Sequence, residues 1–262
     1  MGQRSRRRLD LELVRRRLVN SRTEAQDTID AGRVTVAGFP TPKASTLVDG
    51  SVSIRIEPTP GRFVSRGGDK LAGALREFGV VVRDRRALDA GASTGGFTDC
   101  LLQQGAASVA AVDVGYGQLD WALRNDHRVT VHERLNLRYV DVAAVGGPFD
   151  VIVADLSFIS ICTVAPNLAA LADTDCDLIL LVKPQFEVGR GQVGKGGIVR
   201  DPEKHRAALE RVIECLGTDG LGTVAVAPSP ITGAKGNREF FVWARQGATT
   251  VQDDDLEKVV GL

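Results

Sequence analysis

The sequence predicts an α/β fold: a largely parallel sheet with helices on both faces, behind a small N-terminal α+β domain. Three observations predict it. Strand-length apolar segments alternate with helical stretches from Ala87 to Ala244. The run ALDAGASTGGFTDCL, Ala87 to Leu101, passes from apolar residues through an acid into glycines and then a helical segment. Such a turn opens a nucleotide-binding βαβ unit. Finally, charge is polarised: residues 1–67 carry 13 Lys and Arg against 7 Asp and Glu, while the whole chain balances at 33 against 33.

The N-terminal elements come first. Residues 7–19, RRLDLELVRRRLV, predict a helix with Leu9, Leu13, Val14 and Leu18 on one stripe. Ser21 followed by Glu24 reads as a capping box for a second helix through Ala25 and Ile29, with Gly32 as its terminating glycine. Arg33–Val36 and Val52–Ile56 alternate like strands. The prolines and glycine of EPTPGRFV mark a linker. These signals divide the chain into a domain at 1–58, a linker at 59–65, a larger domain at 66–247, and an acidic, frayed tail at 248–262.

In the larger domain, SRGGDKLAGALREF predicts a helix with Leu71, Leu75 and Phe78 on one face. Strands are predicted at Ala87–Asp89, Ser108–Asp113, Val129–His132, Asp150–Ala154, Leu178–Val182 and Gly222–Ala227, with a last one at Glu239–Ala244. The four cysteines, Cys100, Cys162, Cys176 and Cys215, are widely spaced and read as reduced thiols of a cytosolic protein. MGQRSRRRLD lacks the apolar region of a secretory signal, and no apolar run is long enough to span a membrane.

The glycine turn excludes two ligands. Gly91-Ala-Ser-Thr-Gly-Gly96 is followed by Phe97, so the P-loop lysine is missing. Its glycine spacing also fits a dinucleotide fingerprint poorly. S-adenosylmethionine fits better, because Asp89 at the strand end suits the cationic amino-acid end of that ligand and repels phosphate. Asp113, at the end of the next strand, stands where a ribose-binding carboxylate belongs. A ligand-free turn is the remaining alternative.

Ligands of open α/β sheets bind at the carboxyl ends of the parallel strands. Asp155 and Lys183 end two apolar strands, and an antiparallel last strand would begin with Glu239 at that same edge. Lys70, on the helix before the first strand, can join them. Two lysines and two carboxylates suit alkylation of a weakly acidic hydroxyl. A lysine accepts the hydroxyl proton only when neutral, and a second lysine and burial both favour that form. The Asn-Pro-Pro-aromatic motif of amino-group methylation is absent; here the strand ends Asp155-Leu-Ser-Phe. His127, His132 and His205 are scattered, so no metal site is expected, and the glycine turn is not read as part of a Ser-His-Asp site.

Two longer resemblances emerge. Arg8-Leu-Asp-Leu, Ser21-Arg22, Ala25, Ile29 and Gly32-Arg-Val resemble the S4 RNA-binding domain. SRGGDKL, LDAGASTGGFTDCLL, DVGYGQL, ADLSFIS, VKPQFEVGRGQVGKGGIV and GNREFF together resemble TlyA-type proteins, also called hemolysin A. That resemblance implies an S4-like domain joined to an FtsJ-like methyltransferase domain. The latter is Rossmann-like and S-adenosylmethionine-dependent, with a mostly parallel seven-stranded sheet whose last strand is antiparallel. It implies 2′-O-methylation of cytidines in 16S and 23S ribosomal RNA, within small and large ribosomal subunits, in the cytoplasm and without metal.

The FtsJ-like Lys-Asp-Lys-Glu set falls on Lys70, Asp155, Lys183 and Glu239. Lys183 would be the base or nearest orienter of the hydroxyl, with Asp155 and Lys70 setting its charge and position and Glu239 holding Lys70. Asp89, Gly91, Ala92, Ser93, Thr94, Gly95, Gly96, Phe97, Asp113, Asn136 and Asp155 would hold the cofactor, Asn136 against adenine. The Arg62-Phe63-Val64 stretch is similar to the family's linker motif. Arg4, Arg6, Arg7, Arg8, Arg15 and Arg22 would contact RNA phosphates. The alternatives are a membrane-active hemolysin and a non-catalytic RNA-binding protein.

Overall fold

The structure is a computed structural model that describes residues 6–19, 21–30, 32–40, 43–56, 62–189, 191–233, 235–251 and 253–261. The chain divides into two compact units, Met1–Gly61 and Arg62–Leu262.

In the first unit, β1 (Arg6–Arg8) runs straight into α1 (Leu9–Arg15), and α2 is Arg22–Asp30. Four short strands follow: β2 (Val34–Val36), β3 (Phe39–Pro40), β4 (Leu47–Asp49) and β5 (Ile54–Ile56). β1 pairs antiparallel with β4, and β2 lies between β3 and β5. The helix expected over 7–19 is therefore shorter at both ends. Its first arginines are strand residues, because Arg6–Arg8 find partners in Leu47–Asp49. Leu9 and Leu13 are fully buried beside Ala25, Ile29 and Val48, but Leu18 lies beyond the helix and is exposed. Ser21 Oγ accepts from Glu24 N at 3.1 Å, as the capping reading requires.

The second unit begins with α3 (Arg66–Phe78), capped by Ser65. Then come β6 (Arg86–Ala90), α4 (Gly96–Gln103), β7 (Ser108–Asp113), α5 (Trp121–Arg124), β8 (Val129–Glu133), β9 (Phe149–Ala154), α6 (Ala165–Leu171), β10 (Ala172–Val182), α7 (Pro184–Glu187), α8 (Pro202–Thr218), β11 (Leu221–Pro228), β12 (Phe240–Gln246) and α9 (Asp253–Val260). One seven-stranded sheet has the order β11-β12-β10-β9-β6-β7-β8. β12 is antiparallel to both its neighbours, and the pairs among β6 to β10 are parallel.

The two-residue period of the strands divides the core. Leu88, Ile152, Ala154, Leu178, Leu180, Phe240 and Val242 face one side, against Leu168, Leu209, Val212 and Leu216. Ala87, Val151, Val153, Ile179, Leu181 and Phe241 face the other, against Leu71, Leu75 and Leu101 of α3 and α4. Burial on both faces explains why these strands read as continuous apolar runs.

Three expectations are corrected here. The acidic tail is not frayed: it ends in α9, whose Leu256 and Val260 are buried in the first of these cores. The cysteines are not all reduced thiols. Cys162, in the turn after β9, and Cys215, in α8, form a disulfide with Cα atoms 5.4 Å apart, because that turn packs on α8. Cys100 and Cys176 are free and buried. Of the linker stretch, Arg62–Val64 belong to the second unit, where Phe63 is buried under α3. A Cβ on Gly68 would collide with the Phe63 ring, which accounts for the second glycine of the Gly-Gly pair near the start of that helix.

Candidate active site

Sheet register assembles the site. Ala90 pairs with Ala154, Ala154 with Leu180, and Val182 with Phe240. The next residues beyond this edge are Gly91, Asp155 and Lys183, and the residue before β12 is Glu239. Four separate chain segments thus meet at the carboxyl edge of the parallel strands. Lys70, in the second turn of α3, reaches the same place and donates to Glu239 Oε2 at 2.5 Å. Lys183 Nζ lies 2.6 Å from Asp155 Oδ1 and donates to Ser157 Oγ at 2.9 Å. Lys70, Lys183 and Glu239 are buried, whereas the Asp155 side chain keeps 23% of its surface exposed.

Three adjoining clefts open at this edge. The first, of about 460 Å³, lies between Asp113, Asn136 and Leu137 on one side and Asp155 and Leu156 on the other. The second, about 520 Å³, runs along the glycine turn past Gly96 and Phe97 to Lys70, Asp155 and Lys183. The third, about 430 Å³, holds Lys70, Lys183 and Glu239 together with Phe158, Phe186 and Lys235. Ser157 lines all three.

The glycine turn is built for close approach. Gly91 has φ of 94°, and a Cβ there would sit 2.8 Å from the Asp155 carbonyl oxygen. Ala92, Ser93 and Thr94 line the second cleft. Gly95, also left-handed, caps α4. Asp113 holds the turn open: its Oδ2 accepts from Ser93 N at 2.8 Å and its Oδ1 from Gly115 N at 2.6 Å.

Two expected positions behave differently. Asp89 does not line a cleft. The strand continues one residue past it, so parity turns Asp89 under the sheet toward α4, where Thr98 Oγ1 donates to its Oδ2 at 2.6 Å. Complete burial pushes the Asp89 carboxyl up to about 7, and its Oδ1 has no hydrogen-bond partner among the described residues. Asn136 does line the first cleft, but its Oδ1 already caps the following turn by accepting from Arg138 N at 3.0 Å.

Three further residues of the site lie inside the motifs that carry the family resemblance, but the sequence assigns them no role. Phe158 is 92% exposed, has φ of 65°, borders the first and third clefts, and lies 5.2 Å from the Phe186 ring centre. Such a φ is strained for a bulky side chain. Glu187 accepts from Ser160 Oγ and Ile161 N, tying the Asp155 loop to the helix after Lys183. Burial raises the Glu187 carboxyl pKa. Asn237 accepts from Val199 N and donates to Gly197 O, fixing the far wall of the third cleft.

Of the arginines predicted to touch RNA, Arg4 lies outside the described residues. Arg6 is exposed. Arg8 makes a bidentate pair with Asp10, which also accepts from Arg22 Nε at 3.0 Å. Arg15 makes a bidentate pair with Glu12, and Arg7 Nε lies 3.6 Å from the same carboxylate. Among the described residues, no helix is long and apolar enough to cross a membrane, and no group of three or more His, Cys, Asp or Glu residues is arranged to hold a metal.

A Rossmann-like sheet with a glycine turn, clefts along its carboxyl edge and paired lysines and acids there defines a methyltransferase. Residues 63–246 match the family model of the FtsJ-like methyltransferases, and residues 7–53 match that of the S4 domain. The chain is 51% identical over 239 residues to the 16S/23S rRNA (cytidine-2′-O)-methyltransferase TlyA of Mycobacterium tuberculosis, covering 91% of this chain and 89% of that one. It is 42% identical to hemolysin A of Brachyspira hyodysenteriae, over 84% of this chain and 92% of that one. A solved structure described as a candidate hemolysin from Streptococcus thermophilus superposes with a TM-score of 0.75 at 36% identity, covering 99% of this chain and 96% of the other. The chain belongs to the TlyA family.

Proposed function

We propose that this enzyme transfers a methyl group from S-adenosylmethionine to the ribose 2′-hydroxyl of cytidines in 16S and 23S ribosomal RNA, acting on ribosomal subunits in the cytoplasm. The observation that carries this reading is the meeting of two lysine–carboxylate pairs, Lys70–Glu239 and Lys183–Asp155, where the second and third clefts join. The 51% identity to an enzyme named for this reaction on both RNAs supports the substrate.

The residues suit the cofactor. The first cleft is lined by two carboxylates, Asp113 and Asp155, and by no lysine or arginine. A pyrophosphate would meet only repulsion there, whereas an adenosine joined to a cationic sulfonium and ammonium is accommodated. Asp113, once its two backbone donors are counted, keeps lone pairs for ribose hydroxyls, and Leu137 and Leu156 offer apolar contact to a purine. Asn136, whose oxygen is engaged in its cap, lines the same cleft and has its amide N–H groups to offer the ligand. When bound, the sulfonium supplies the electrophilic methyl group, so the protein needs no metal to activate it.

The chain's task is then to position and deprotonate a hydroxyl. Lys183 Nζ takes the 2′-OH proton, and the ammonium so formed stays paired with Asp155. Ser157 fixes the amine from a second direction. Lys70, held by Glu239, places a positive charge beside the oxygen as it becomes negative. The exposed Phe158 ring offers a stacking surface at the mouth of the acceptor cleft.

The test is transfer of label from S-adenosylmethionine to purified small and large ribosomal subunits that lack the modification, followed by digestion to nucleosides. Label in 2′-O-methylcytidine from both subunits is expected. Label in any other nucleoside, or in neither subunit, contradicts the reading.

A further inference from the structure

The first unit buries two acids in a chain segment crowded with arginines. Asp10 and Glu12, in the first turn of α1, have essentially no exposed surface. Lone buried carboxylates are costly, but these collect five guanidinium groups. Asp10 takes Arg8 and Arg22, and Glu12 takes Arg15, Arg16 and, at longer range, Arg7. Both carboxyl pKa values are pulled down to about 2, by Arg8 at Asp10 and by Arg15 at Glu12.

The five cations differ. Arg16 is a strut: it also donates to the carbonyls of Asp49, Gly50 and Val52, and only 21% of its side chain is exposed. Arg7, Arg8, Arg15 and Arg22 keep 49, 38, 50 and 55% of theirs exposed. Arg8 and Arg15 use Nε and Nη2 on the acids, so the N–H groups of Nη1 are not spent in these pairs.

We propose that Asp10 and Glu12 are positioning residues of the RNA-binding face, fixing Arg7, Arg8, Arg15 and Arg22 as a preformed array for RNA phosphates. The proposal rests on the ribosomal RNA reading above. A free arginine gives up rotamer freedom on binding, and one already clamped gives up little. Each acid cancels one charge, yet the cluster keeps its excess of cations. Preorganisation therefore opposes simple charge counting. Removing a negative charge strengthens attraction to RNA by Coulomb's law, but here it releases the arginines.

The decisive variants of the full chain are Asp10→Asn and Glu12→Gln, assayed by methyl transfer to unmodified ribosomal subunits from 50 to 200 mM salt. Ile29→Ala, in the core of the same unit, serves as a control for destabilisation. Despite one added positive charge, each acid variant is expected to raise KM about tenfold at moderate salt, with the loss in KM rather than kcat. The slope of affinity against salt should shrink by about one counterion, as for a lost phosphate contact. An unchanged or lowered KM, or a loss that matches Ile29→Ala at every salt concentration, overturns the proposal while wild-type labelling stands. Unlabelled subunits with wild-type enzyme overturn the substrate reading, and this proposal with it.

Discussion

The two ends of the central sheet both carry buried ion pairs, but they are built differently. At the end opposite the candidate active site, where a cleft of about 530 Å³ is lined by Arg85 and Arg245, Asp177 is 1% exposed and paired on both oxygens. It accepts from Arg85 at 2.6 Å, Arg245 Nε at 2.6 Å and Trp243 Nε1 at 2.7 Å. At the active-site end, the acids Asp155 and Glu239 pair with lysines and border open space. An arginine stays charged and clamps with a rigid fork, while a lysine is a single amine that can give up its proton. Burial of charge is therefore no mark of a catalytic site. What separates the two ends is the partner of the acids, lysine at one and arginine at the other.

The largest effect expected from breaking this contrast is at Lys183. Lys183→Ala should lower methyl transfer on the order of a thousandfold, as loss of a general base does, with cofactor affinity nearly unchanged by calorimetry. Next comes the Cys162–Cys215 disulfide, which closes a loop spanning 53 residues. Reduction, or Cys162→Ser with Cys215→Ser, should lower unfolding stability by about 2–4 kcal/mol in urea titrations. At the structural end, Asp177→Ala should cost about 2–3 kcal/mol, because it strands hydrogen-bond donors, while kcat stays near wild type.

A further expected effect is read through pH. Asp89 has its folded pKa raised to about 7. Between the ordinary carboxylate range, near 4, and about 7 the unfolded chain ionises and the folded chain does not, so Asp89 erodes stability progressively across that window. Asp89→Asn should match wild type near pH 4, gain on it up to about pH 7, and hold the gain above that. Melting temperatures measured across that range check the sign.

The strands and the four charged residues at their edge were legible because apolar runs announce doubly buried strands and a charge ending such a run has few places to go. Asp89 was misread because its direction depends on whether the strand stops at it or one residue later. The tail's aspartates hid the Leu256–Val260 spacing, one helical turn that docks on the core. In the first unit, three consecutive arginines gave no hint of β1, whose partner strand lies some forty residues on. Phe158 lies within the ADLSFIS motif, but its backbone angle and its exposure are not readable there. The pairing of Cys162 with Cys215 likewise needed the packing of a turn on α8.

The central claim is that the active-site end works by proton transfer and the opposite end by clamping. Single-turnover methyl transfer by Lys183→Arg and Arg245→Lys, side by side, tests it most directly. Both substitutions keep the charge. Lys183→Arg is expected to lose roughly a thousandfold in rate, because a guanidinium cannot take the proton, and Arg245→Lys to stay within about threefold of wild type. A Lys183→Arg enzyme that turns over at near wild-type rate would contradict that claim.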